Sequence, residues 1–144
     1  MSFLDLFFNS QKSKGKAHVK NLLSVAMVDG VIEDSEYEFL IKIAVKYGFN
    51  TEDVEKFRLE LVKKGGFTKQ SGVPRFEQIY ELINMMMIDN HINPKELQMC
   101  KVFARKIGVA MNKVDELLDS IVMNISSGHN LEETKLRVGY LVKD

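Results

Sequence analysis

The sequence predicts an all-α protein of about seven helices arranged as two pseudo-symmetric repeats in one domain, and three observations carry that prediction. First, Asp29-Gly30-Val31-Ile32-Glu33-Asp34-Ser35-Glu36 returns sixty positions later as Asp89-Asn90-His91-Ile92-Asn93-Pro94-Lys95-Glu96, both reading Asp-x-x-Ile-x-x-x-Glu. Without a gap, Leu22, Met27, Ala44, Lys46, Gly48 and Val54 also meet Leu82, Met87, Ala104, Lys106, Gly108 and Val114, giving nine identities between Leu22 and Phe57. Such self-similarity is the mark of an internal duplication. Second, apolar residues recur at helical spacing, and no stretch alternates with period two over a strand's length. Third, helix caps punctuate the pattern where each helix has to start and stop.

In chain order, Ser2 to Phe8 is an apolar opening that the polar, glycine-containing segment from Asn9 to Lys16 separates from the rest. It reads as a helix docked on the bundle, in preference to a partner-covered surface or an interfacial foothold, since one half-helix binds membranes weakly without a second anchor. Helix one spans about Lys16 to Val28, with Val19, Leu22, Leu23, Ala26 and Met27 on one face, widened by Val25 and Val28. Helix two carries Phe39, Leu40, Ile43, Ala44 and Tyr47 and stops at Gly48, a good C-cap residue. Asn50 or Thr51 caps helix three, which buries Val54, Phe57 and Leu61. Repeat one thus covers about 16–64.

The segment 63–73 (KKGGFTKQSGV) is a linker; it has no Gly-Lys-Ser/Thr and follows no strand, so a phosphate-cradling loop is excluded. Repeat two covers about 74–126. Pro74 sits near the start of helix four, whose stripe is Phe76, Ile79, Tyr80, Ile83 and Met87. Met85, Met86 and Met87 align with Val25, Ala26 and Met27, so gap-filling in a core explains them better than a promiscuous binding face does. Helix five opens on a capping box, with Asn93 as cap, Pro94 first and Glu96 third. It continues through Cys100, Phe103, Ala104 and Ile107 to Gly108. Helix six holds Val114, Leu117, Leu118, Ile121 and Ile125. A turn at Ser126 to His129 precedes a second capping box, Asn130 with Glu133, and a last helix over about 130–143.

The 144 residues carry 20 basic and 20 acidic side chains, a formal net charge of zero. Such a chain has no field with which to steer nucleic acid or hold an anionic surface. The lone cysteine, Cys100, aligns with Leu40 and reads as a buried apolar residue in a reducing, cytoplasmic setting. No apolar run reaches the ~18 residues of a membrane span, and the N-terminus lacks the pattern of a signal peptide. Chain length suffices for a core burying roughly 68–70% of the unfolded surface.

Chemistry centres on the two acidic turns. The turn fits the second half of a calcium-binding EF-hand loop, but the positions that must supply the first oxygens are Val25 and Met27, or Met85 and Met87, which excludes it. Asp29 and Asp89 nonetheless stand at the negative end of a helix dipole, where a carboxylate needs an offset. Local capping by Asp29, Asp89, Glu36 and Glu96 is the preferred answer; the alternative is an oxygen-rich site for calcium, magnesium or manganese. The Glu-x-x-His pairs of a di-iron bundle are missing, since Phe39 and Met99 follow Glu36 and Glu96 by three. His18, His91 and His129 lack zinc-ligand spacing. A carboxylate-dependent hydrolase is the minority reading.

The motif Met27-Val28-Asp29-Gly30-Val31-Ile32 with Glu36, the Ala44 to Gly48 ending of helix two and the opening Met1-Ser2-Phe3-Leu4-Asp5 resemble the TerB-like family, named for bacterial tellurite-resistance protein B. The resemblance spans nearly the whole chain. It implies an all-helical duplicated fold, a bacterial cytoplasmic stress-response setting, and non-enzymatic binding. It also implies possible metal ligation at Asp29, Glu36, Asp89 and Glu96. A related domain accompanies J-domains in co-chaperones, so a co-chaperone-like interaction domain is an alternative; no J-domain stands in this sequence. The chain departs from the pattern at Asn90 and His91, in place of Gly30 and Val31, which weakens any second metal site. Expected partners are a second copy or another protein, with at most weak peripheral membrane contact through the N-terminus. The duplication is further expected to bring the Asp29 and Asp89 turns to one side of the molecule.

Overall fold

A computed structural model describes residues 3–28, 30–65, 73–87 and 90–142, with side chains from Lys12 onward. Every element among the described residues is helical, as the periodicity predicts. Contacts divide the chain into two units, Met1–Lys69 and Gln70–Asp144.

The first unit comprises α1 (Phe3–Met27), α2 (Asp34–Lys46) and α3 (Thr51–Lys63), each packed on the other two. Its core is the expected stripe: Val19, Leu22, Leu23, Val25 and Ala26 of α1 meet Phe39, Leu40, Ile43 and Ala44 of α2 and Val54 and Phe57 of α3. Phe49, in the α2–α3 loop, stands edge-on to Phe57 with ring centroids 5.1 Å apart. Met27, Val28, Tyr47 and Leu61, expected inside, are only half-buried. Tyr47 is the C-cap of α2, where the backbone leaves the helical register. Asn50 caps α3 through a reciprocal box: its Oδ1 accepts from the Asp53 N–H and Asp53 Oδ2 from the Asn50 N–H, both at 2.9 Å.

One boundary differs from the sequence reading. Rather than starting near Lys16, α1 is continuous from Phe3 through the polar stretch and Gly15. Gly15 is buried against Tyr47, and a Cβ there would collide with the ring and Cβ of that tyrosine. A glycine that lowers helix propensity locally therefore permits two backbones to approach. Around it, Lys12 Nζ lies 5.4 Å from the Phe49 ring centroid and Lys16 Nζ 5.3 Å from that of Phe57, within range for cation–π attraction. Lys20 Nζ adds a 2.8 Å ion pair with Glu60 of α3. Tertiary contacts at the α2–α3 corner carry the helix across a segment whose composition alone reads as a break.

The second unit repeats that order with α4 (Arg75–Met86), α5 (Pro94–Ile107) and α6 (Val114–Ser126), and adds α7 (Leu131–Val138) and a short 3-10 turn, Gly139–Leu141. The last helix is thus shorter than the expected 130–143. Phe76, Ile79, Tyr80, Leu82 and Ile83 of α4 pack against Cys100, Phe103, Ala104 and Ile107 of α5 and Leu117, Leu118 and Ile121 of α6. Met86 fills the position expected of Met87, because α4 ends at Met86 and the C-cap Met87 turns partly out. Ile125 is half-buried near the end of α6. α7 covers α6 and α4 through Thr134 and Val138, and is opened by the Asn130–Glu133 box as expected. Asn93 caps α5, but its Oδ1 takes the Lys95 N–H at 2.8 Å, one residue earlier than the box predicts.

Candidate functional site: the paired turns

Each unit reaches its second helix through the turn that the duplication singles out. Behind α1, Gly30 adopts φ 85° and donates its N–H to the Met27 carbonyl at 2.9 Å. The chain then extends to Glu33, the N-cap of α2. Behind α4, Asn90 adopts φ 64°. Asparagine is among the few residues that enter this left-handed region readily. Asn90 therefore keeps the left-handed backbone that Gly30 adopts in the first copy. Ser126 Oγ donates to the Asn90 carbonyl at 3.2 Å, tying this turn to the end of α6.

The four candidate ligands separate by what the structure shows of them. Glu36 is 4% exposed, and its Oε2 accepts the Glu33 N–H at 3.1 Å, as a third-position acid does at a helix start. Glu96 holds the equivalent place in α5 and is half-buried. Asp29 and Asp89 lie outside the described residues. Among the described residues no group of three or more His, Cys, Asp or Glu side chains is gathered to hold a metal. One carboxylate oxygen of Glu36 is engaged in starting its own helix, so the described donors by themselves do not form a cation site.

Compared with protein-family models, curated proteins and solved structures, the chain has no match. Its own duplication remains the one internal comparison, and it exposes residues that motif reading passed over. His18 is one: its ring meets Tyr47 edge-on at 6.0 Å, its Nε2 is buried with no hydrogen-bond partner among the described residues, and burial lowers its pKa to about 4. Its counterpart in the second unit, Gln78, is also buried and donates from Nε2 to the Val73 carbonyl at 2.7 Å. A polar side chain in the same core-facing register of both copies is a signal that a search for paired histidines does not detect. Arg75 and Lys113 are the other pair missed. Set against Gly15 and Asp53, they are two of several positions at which the copies differ in charge.

Proposed function

We propose that the protein is a non-enzymatic binding or scaffold module of the TerB-like kind, acting in the bacterial cytoplasm in a stress response, with a second copy or another protein as partner. The observation that carries this reading is the equivalence of the two turns. Gly30 and Asn90 share a left-handed backbone, and Glu36 and Glu96 share the third position of the following helix. The shared Asp-x-x-Ile-x-x-x-Glu pattern is therefore matched, from Gly30 and Asn90 onward, by a shared backbone and not only by a string. Among the described residues no helix is long and apolar enough to cross a membrane.

Divalent metal belongs to this proposal through the turn carboxylates Asp29, Glu36, Asp89 and Glu96. The test is a thermal melt with calcium, magnesium or manganese on the wild type and on Asp29→Asn with Asp89→Asn. A cation that binds only the folded form adds about 2.7 kcal/mol of stability at a hundredfold excess over Kd. A metal-dependent rise in Tm that the double variant loses supports the metal-binding form. Metal-independent melting of the wild type, with a destabilised double variant, assigns the aspartates to turn formation and leaves a scaffold without metal. Turnover in a hydrolase screen that vanishes in the same variant would overturn the non-enzymatic reading.

A further inference from the structure

The last helix holds its unit with one face and turns a second face, with an apolar centre, outward. Thr134 and Val138 point inward onto α4 and α6. Leu136 stands two residues from each of them, about 200° round the helix from both, and so points the opposite way. It is 87% exposed, and Tyr140, one turn further along in the 3-10 segment, is 72% exposed. Single apolar side chains on a surface are ordinary. What distinguishes this face is the order of the charges around them.

Glu132 and Lys135 lie on one side of Leu136, and Glu133 and Arg137 on the other, so each flank is acidic toward the start of α7 and basic toward its end. All four side chains are exposed. Glu133 lends Oε1 to the Asn130 N–H that opens the helix, at 3.2 Å. Glu132, Lys135 and Arg137 make no ion pair or hydrogen bond among the described residues. Beside a second copy running the other way, each flank meets the same flank of its neighbour, with Glu132 of each copy against Lys135 of the other and Glu133 against Arg137. Beside a copy running the same way, opposite flanks meet, acid on acid and base on base. Charges that border an apolar seam set the orientation of paired helices in this manner. A face that complements itself in one orientation only is what a second copy requires and what an unrelated partner does not.

We propose that α7 is the contact through which two copies of this chain associate, antiparallel about a twofold axis near Leu136. The two Leu136 side chains pack at the centre, Tyr140 of each copy lies over the first turn of the other's helix, and the charges close both flanks. Such a pair is isologous, the commonest form of self-association. The face runs only about 15 Å along the helix, so the buried area falls below the ~1,200 Å² of a standard stable interface. The pair is accordingly weak, with a Kd above about 1 μM. This inference rests on the second-copy partner of the proposed function, to which it gives a surface, and is independent of metal binding.

The experiment is sedimentation equilibrium of the full chain at concentrations rising into the millimolar range. The mass is expected to climb from one copy toward two. Leu136→Glu, at a position where the side chain is almost wholly in solvent, should keep the wild-type thermal melt and abolish the climb. Glu132→Lys and Lys135→Glu should each weaken association about fivefold, because each sets two like-charged pairs across the seam. The variant carrying both swaps, or an equimolar mixture of the two single variants, should regain it. A wild type that stays monomeric overturns the inference and leaves the scaffold reading with another protein as its partner. Self-association that survives Leu136→Glu keeps the second copy but overturns this face. Single swaps that the double swap does not rescue overturn the antiparallel arrangement.

Discussion

Gly15 and His18 lie one helical turn apart on α1, and both touch Tyr47. Propensity alone favours Gly15→Ala by about 1 kcal/mol, whereas the added Cβ would meet the Cβ and ring of Tyr47 near its attachment to the backbone, where little can move aside. The contact is expected to win, with a net loss of about 1–2 kcal/mol measured by urea denaturation; a stabilised variant would mean that α1 is not seated on Tyr47. His18 makes a pH prediction of definite sign. Its folded pKa of about 4 lies below its ordinary 6.5, because burial disfavours the imidazolium. The unfolded chain therefore takes up the proton first, and stability present above pH 6.5 is lost as pH falls from about 6.5 to about 4, by at most about 3 kcal/mol. His18→Gln, which installs the residue found at the equivalent position 78, should flatten the fall in Tm between pH 7 and pH 4.5 relative to the wild type. Parallel curves for the two proteins would exclude His18 as the source.

At the scale of elements, equivalent helices are held by different polar clasps. Glu55 of α3 accepts from Tyr37 Oη of α2 at 2.9 Å. Its counterpart Asp115 of α6 instead pairs with Lys101 of α5 at 3.0 Å, while Asp119 lies 3.4 Å from the same ammonium. Burial opposes the charge on Lys101, but those two carboxylates outweigh it and raise its pKa. Pairs with one partner in solvent contribute little each, which explains how the clasp can change while the packed stripe is kept. The start of α6 is different, because there a cap has been given up. Ala110→Asn with Lys113→Asp, which writes the first copy's box into the second, should raise stability by about 1 kcal/mol in a thermal melt. An unchanged or lower Tm would mean that α6 starts as well without the cap. Helix identities and most of their starts and stops were legible in advance, because Gly48, Asn50, Gly108 and Asn130 act locally on their own backbone. The start of α1 was not: it depends on Tyr47, Phe49 and Phe57, which are more than thirty residues away in sequence.

For the molecule as a whole, the proposal of a protein partner draws on apolar side chains left outside. Leu136 and Tyr140, four residues apart beyond the buried face of α7, are 87% and 72% exposed, and Met123 of α6 is 69% exposed. Where such groups join into a contiguous patch, they mark an interaction site. If the apolar N-terminus also serves association, removing Met1 to Phe8 should lower the mass found by light scattering, and an unchanged mass with unchanged Tm would refute that role. The sequence by itself determined the helical class, the sixty-residue duplication and the turn chemistry, since period, caps and left-handed residues act over a few neighbours. Only the tertiary structure decided that Glu36 is buried at its cap and that Gly15 is a crossing point. Those outcomes depend on which surfaces a helix meets after it has formed, and burial is a property of distant partners, not of the segment that is buried.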